Sequence, residues 1–431
     1  MYDNDRWIFI VGGSSLSVPA LLAAKKDFKL KVICSDGDEH CPGSRIADIF
    51  IPVSIYDIDS HMSLLVKLSK EWPHFKDIAG CLTCGTDAAV TTYAITQAMS
   101  LPGIPLEVAT IVQNKGLMRN HLHEKKLDEY MPRWEFVKIS YENSQIFIRN
   151  FMNRIGDVVL KPIGQRASKG ISIIRHQDEI ARAISNALQY NDVALVEERL
   201  FGEEYSIDGI LDNGKVLFWN AVERRFDYTS GIPMEIGHIN PAPILQKKDF
   251  MEMLLKFWLT VSEAMSVSWG PFKIDTLIQD GKPYILETAC RLSGGWDSAL
   301  TVPLSSGRSN IHTLIALATQ QDYTKYIQST IDPPMFAACH ALFPEPGKVI
   351  KLHGKLEQFN AEGMTHPLPY HRPKGPHVRI SVKPGDVIES YTHCATRPGF
   401  VVVADENYEA AWERASFVAR SLAEDIITET V

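Results

Sequence analysis

Asp280-Gly281 stands between two alternating apolar runs, which makes a β-hairpin the natural fold for residues 275–287. Asp275 opens that hairpin, Glu287 closes it, and Arg291 follows four residues later. Carboxylates held close together at neutral pH repel, so a cation between them is expected. Magnesium carrying nucleotide phosphates is the commonest such guest, and an arginine beyond it can hold an oxyanion. Register decides whether the two acids meet. A two-residue loop puts Asp275 and Glu287 on opposite faces. A three-residue loop, with Gly281 in the left-handed position, puts the odd-numbered residues on one face. The metal reading therefore expects the longer, bulged loop. Read alone, the segment is equally an exposed hairpin with solvated acids.

The chain of 431 residues is long enough for two to four domains, and 45% hydrophobic with 22% charged residues suits globular cores. A net charge of −8 argues against a general nucleic-acid binder. Residues 7–13 are too short and lack the flanks of a signal peptide, and no apolar run is long enough to span a bilayer. The seven scattered cysteines fit a reducing cytoplasm. Cys81 and Cys84 form a CxxC without a second ligand pair and read as structural.

Strands are expected over residues 7–12, 30–34, 47–53 and 78–83, with helices over 18–26 and 60–72, which is an open α/β sheet. Gly12-Gly13-Ser14-Ser15 is half of a dinucleotide loop without GxGxxG, so NAD is not expected; the loop more plausibly meets a small substrate. A helix carrying Lys115 begins near residue 108. Strands follow over 158–162, 170–174 and 193–197, with an amphipathic helix over 178–190. A hairpin spans 203–223 around Asp212-Asn213-Gly214, and a helix covers 248–265. After residue 329 the composition turns Pro-rich, then short strands lead to a closing helix over 407–427 with Ile426 on its apolar face.

Several residues suit a nucleotide. Lys161 ends a strand before Pro162 and can reach a phosphate. Gly164-Gln-Arg-Ala-Ser168-Lys169-Gly170 can offer backbone N–H groups to phosphates, although such loops are also common on surfaces. Glu197, Glu198, Leu200 and Glu204 lie on a strand–linker–strand segment, where carboxylates seven residues apart would suit a nucleoside and charged strand ends are equally ordinary.

The order of these elements resembles the ATP-grasp superfamily, carboxylate–amine ligase-like, with a biotin carboxylase-like domain order, over about residues 105–320. The resemblance implies an open parallel α/β N-terminal domain (1–106), an ATP-grasp domain of α+β character (107–329) and a β-rich C-terminal domain with a closing helix (330–431). The central domain would divide into a lid-like part (about 125–195) and a larger part (about 196–329). Lys115 and Lys161 match the phosphate-binding lysines, and Ser168, Lys169 and Gly170 fall in the covering loop. Glu197 matches the adenine-side acid, with Glu198 beside it, Leu200 the hinge contact and Glu204 the ribose acid. Asp275 and Glu287 match the magnesium ligands, with Mn2+ able to substitute, and Arg291 matches the catalytic arginine. Ala289 departs from the pattern, which has a metal-binding asparagine two residues after the second acid. That departure puts full two-metal occupancy in doubt.

The implied activity joins a small-molecule carboxylate to an amine through an acyl phosphate, releasing ADP and phosphate. A purine-pathway or carboxylase-type ligase of the same fold, or a nucleotide-binding regulatory protein with weak turnover, are the alternatives. Arg225, within Glu223-Arg224-Arg225, could bind a substrate carboxylate, and His238 could take a proton from the amine. Ser293, Gly294, Gly295 and Trp296 would shape the acceptor pocket. Cys290 alternates away from the site and reads as packing. His121, His123, His371 and His377 read as surface or structural residues. Small-molecule substrates, no nucleic acid, no membrane, and a homodimer complete the expectations.

Overall fold

The structure is a computed structural model that describes residues 6–164, 168–331, 334–354, 356 and 375–430. Residues 165–167 of the glycine-rich loop and His371 therefore lie outside the described residues. Four short parallel strands open the chain: β1 (Trp7–Val11), β2 (Lys31–Ser35), β3 (Ile49–Ile51) and β4 (Ile78–Leu82), in the order β3-β2-β1-β4. Every residue of β1 is buried, as a run of Trp, Ile, Phe and Val between two helical layers requires. The strand expected over 47–53 shrinks to three residues, because Pro52 follows Ile51 and ends the ladder.

The helix expected to run on from residue 108 is two helices, Leu106–Gln113 and Lys115–Glu124. Asn114 between them is extended (φ −104°, ψ 114°), and its side-chain oxygen accepts hydrogen bonds from the N–H groups of Gly116 and Leu117. That cap starts a new helix and turns Lys115 inward, where it is only 5% exposed.

Antiparallel strands β5 (Trp134–Lys138), β6 (Val158–Pro162), β7 (Ser172–Ile174) and β8 (Val193–Glu198) form a second sheet in the order β5-β8-β6-β7. Its helices, Ser144–Ile155 and Ile180–Leu188, bury Ile148, Phe151, Ile180 and Ile184 against it.

A third sheet takes up β9 (Glu203–Asp212), β10 (Lys215–Asp227), β11 (Met234–Asn240), β12 (Gly270–Gln279) and β13 (Lys282–Ala289). The remaining strands are β14 (Phe336–Ala341), β15 (Gly347–Leu352), β16 (His377–Ile380), β17 (Val387–Ile388), β18 (Gly399–Asp405) and β19 (Ile426–Glu429). Eight strands join in the order β13-β12-β9-β10-β11-β14-β18-β16. The boundary expected near residue 330 thus falls within one continuous sheet. A single apolar cluster runs through Ile8, Leu21, Phe218, Leu300, Ala337 and Val402, so its members come from both sides of that boundary. The closing helix is Tyr408–Glu424, and Ile426 has left it for β19, which pairs with β15.

The opening hairpin departs from its expected form in an informative way. Gln279 pairs with Lys282, so the loop has two residues, and Asp280 (φ 53°) and Gly281 (φ 75°) both take left-handed backbone. The bulge lies further along, between Asp275/Thr276 on one strand and Ile285/Glu287 on the other, with Leu286 as the extra residue. Asp275 therefore faces Glu287 after all, through a bulge in the strand rather than in the loop.

Candidate active site

Strand parity builds the floor of the site. In the antiparallel ladders Asp275 pairs with Glu287 on one side and Ser206 on the other, and Ser206 pairs with Val222. One row along, Leu277, Glu204, Arg224 and His238 are successive partners. One row the other way, Lys273 pairs with Asp208, and Asp208 with Asn220. Directly paired residues share a face, so acids and bases from five strands project into one cleft of about 580 Å3.

Lys115, Lys161, Ser168, Glu197, Glu198, Leu200 and Glu204 line this cleft, as do His238, Asp275, Glu287, Arg291, Ser293 and Gly294. Lys115 Nζ lies 2.7 Å from Glu287 Oε2. Glu197, 1% exposed, is held from both sides: Arg119 Nε is 2.7 Å from Oε1 and Lys161 Nζ 2.5 Å from Oε2. Burial alone would raise the acid's pKa, but these two cations outweigh it and hold Glu197 at about 2. Glu198 borders the cleft with its carboxylate taken by Arg133, 2.9 Å from each of two guanidinium nitrogens. Glu204 accepts a hydrogen bond from the Tyr228 hydroxyl; burial raises its pKa despite Arg224 nearby.

Asp275 is flanked by Lys273 Nζ at 3.0 Å and Arg224 Nη1 at 3.2 Å. Burial works against its ionised form, and these cations outweigh it. Arg224 also grips Glu235 with two nitrogens, at 3.1 and 3.2 Å, and Arg397 approaches the same acid at 3.4 Å. Arg291 Nε donates to Asp87 Oδ1 at 2.7 Å, which ties the loop after β13 to the loop after β4. Arg119 donates to the carbonyl of bulged Leu286 at 3.3 Å.

The donor set can be tested against a divalent ion. Asp275 and Glu287 face each other, which suits one ion shared with phosphate oxygens. No cluster of three or more His, Cys, Asp or Glu able to hold a metal occurs among the described residues. Ala289, where a further donor was in question, is 4% exposed and pairs across the strands with Lys273. Ala289 offers no donor, and the ammonium of its partner Lys273 already lies on Asp275, so the residues fit one ion better than two.

Four expected residues do not join the cleft, the buried Trp296 among them. Arg225 turns to the opposite face of β10, pairing with Glu223 at 2.9 Å and stacking on Trp412 at 4.3 Å. Its neighbour Arg224 is the inward one. Lys169 and Gly170 lie outside the lining, although Ser168 lies within it and donates to the Pro233 carbonyl at 3.0 Å. Cys290 is buried, with Tyr93 donating to its carbonyl. All seven cysteines are free and buried. His121 contacts the Ala264 carbonyl, His123 pairs with Asp128, and His377 is a strand residue. Sequence reasoning missed Arg119, Asp208, Lys273, Asp297 and Arg397. Parity carried a signal for two of them, since 273 shares the face of Asp275 and 208 that of Glu204.

Comparison with known proteins follows this geometry. Residues 156–299 match the family model of the ATP-grasp domain. The chain carries an ATP-grasp domain. Dapdiamide A synthase of Enterobacter agglomerans is 22% identical over 264 residues, 58% of each chain. The matched segments span less than two thirds of this curated relative and of the next. Two solved structures share the architecture end to end. An L-amino acid ligase from Bacillus licheniformis has a TM-score of 0.74 at 19% identity, covering 99% of this chain and all of that one. A phosphoribosylglycinamide synthetase from Anaerococcus prevotii has a TM-score of 0.71 at 18% identity, with the same coverage. At such identity the likeness shows the ATP-grasp fold. No helix among the described residues is long and apolar enough to cross a membrane.

Proposed function

We propose that the protein is an ATP-dependent carboxylate–amine ligase that works through an acyl phosphate and releases ADP and phosphate. The observation that carries this reading is the convergence of Lys115, Lys161, Asp275, Glu287 and Arg291 on one cleft. Such a set can receive a polyphosphate, with Lys115 and Lys161 exchanging their carboxylate partners for phosphate oxygens. Glu197 and Glu204 would face the nucleoside end, with Leu200 at the linker. A magnesium ion held by Asp275 and Glu287 would supply neutralising charge to the phosphates.

A substrate carboxylate attacks the γ-phosphoryl group, and an amine then displaces phosphate from the acyl carbon. Little covalent work falls to the protein: the cations stabilise charge as it moves. Arg291, oriented by Asp87, holds the carboxylate and then the acyl phosphate. Burial first, and the cations Arg224 and Arg397 after it, lower the pKa of His238 to about 4 against the pull of Glu235. So low a value makes it a hydrogen-bond acceptor at neutral pH, not an effective base for an ammonium.

The wall contributed by the N-terminal part favours a small acid over a ribonucleotide. It presents Leu16, Gly85 and Asp87, and no cation among them. The Gly13 N–H, which a substrate phosphate could have used, donates to Asp36 at 2.8 Å.

The test is ADP and phosphate release with a panel of amino acids and small carboxylates. Stoichiometric ADP with at least one acid supports the ligase. AMP release refutes the acyl-phosphate route. ATP binding without ADP release from any acid would identify a nucleotide-binding regulator instead.

A further inference from the structure

The inner end of the cleft holds two buried polar atoms that the proposed chemistry does not use. Asp297 is 3% exposed; its Oδ1 accepts hydrogen bonds from Asn240 Nδ2 and Thr301 Oγ1, both at 2.7 Å. Its Oδ2 has no hydrogen-bond partner among the described residues. His238, 5% exposed, likewise leaves Nε2 without one, while its Nδ1 side faces Glu235 at 4.0 Å. Both residues line the cleft. They are neighbours, because Asn240, which holds Asp297, lies two residues from His238 on the same face of β11.

Local structure keeps this recess open. Trp296 takes left-handed backbone (φ 71°) and starts a π-helical turn, Asp297–Thr301. The turn aims Asp297 back toward the strands. A Cβ at Gly295 would find only His238 Cε1 within 4 Å, at 3.9 Å, so the path from Arg291 to Asp297 carries no side chain there. Leaving a buried carboxylate oxygen and a buried imidazole nitrogen unsatisfied is costly unless a ligand completes them.

With its proton on the Glu235 side, neutral His238 offers Nε2 as an acceptor, and Asp297 Oδ2 is an acceptor too when the carboxylate is ionised. Two acceptors converging in one recess call for a compact donor with several N–H groups. We propose that Asp297 Oδ2 and His238 Nε2 form a subsite for the α-ammonium group of the carboxylate substrate, which is therefore an α-amino acid. This assignment rests on the ligase reading above and adds the substrate class. The ammonium belongs to the acid rather than to the attacking amine. A protonated nitrogen held on a carboxylate has no lone pair to attack with, and Arg291 already marks where the carboxylate end lies. Burial, and then Asp208 beside it, push Asp297 up to about 7. An arriving cation relieves both effects. Lys273, which also acts on Asp297, is already engaged with Asp275, and the cations acting on His238, Arg224 and Arg397, are engaged with Glu235.

The experiment compares ADP release with alanine and with propionate, which lacks only the amino group, each with the same excess of hydroxylamine as the attacking amine, in the full-length chain and in Asp297→Asn and His238→Leu variants. The expected result is at least a tenfold higher kcat/KM for alanine. In either variant that preference should narrow at least tenfold, with ATP affinity and melting temperature as controls. Using two variants guards against one that fails to fold. Equal turnover of alanine and propionate, or a variant that slows both equally, overturns the subsite and leaves the ligase intact. Absence of ADP release with every acid overturns the ligase reading and this proposal together.

Discussion

Glu197 shows how one buried acid can serve two purposes. Its pKa falls from the usual 4.5 to about 2 in the folded chain: burial opposes the fall, and Arg119 and Lys161 produce it. A depressed folded pKa means the contribution to stability is present above pH 4.5 and is lost as pH falls through 2. The size is of order 3 kcal/mol. Glu197→Gln should therefore destabilise the protein at pH 7, where it strands two cations, and should flatten the fall in stability between pH 4.5 and 2. Urea unfolding across that range checks both. The residue pattern announced an acid here, but its partner Arg119 lies 78 positions away in sequence, and only the folded chain brings them together.

At the scale of elements, the hairpin and its neighbours show what the sequence can carry. Asp-Gly fixed the turn, and the acids at the two ends were legible. The position of the extra residue was not, because a bulge in the loop and a bulge at Leu286 bring the same two acids face to face. Arg224 and Arg225 failed for a related reason: alternation says one faces in, and only the pairing of Arg224 with His238 says which. The break at Asn114 was readable in principle, since asparagine favours helix starts, but apolar periodicity hid it. Packing between elements makes one sharp prediction. A Cβ on Gly209 of β9 would lie 2.2 Å from Trp258 Cζ2, and that tryptophan is fully buried beneath the sheet. Gly209→Ala should cost at least ~2 kcal/mol in urea unfolding, because neither ring nor strand can yield.

At the scale of the molecule, the cleft depends on parts distant in sequence. Asp87, after the fourth strand, orients Arg291 over a separation of 204 residues. Asp87→Ala should lower kcat for ADP release by roughly ten- to a hundred-fold, since Arg291 loses its orientation. The KM for ATP should stay within about twofold. A comparable rise in ATP KM would show that Asp87 acts on the nucleotide instead. The sequence marked the first hundred residues as an α/β layer, yet nothing in it joined Asp87 to Arg291.

The shared eight-stranded sheet also limits how such a chain can be taken apart. Cutting after residue 330 would strip β14 from β11 and leave Gly237–Asn240 as a raw edge, ready to pair with other chains. The excised front portion should aggregate when expressed alone, and light scattering would reveal it. Recombination that swaps this region for a foreign tail would have to supply a matching strand in register. The front and trailing portions are therefore a single folding piece.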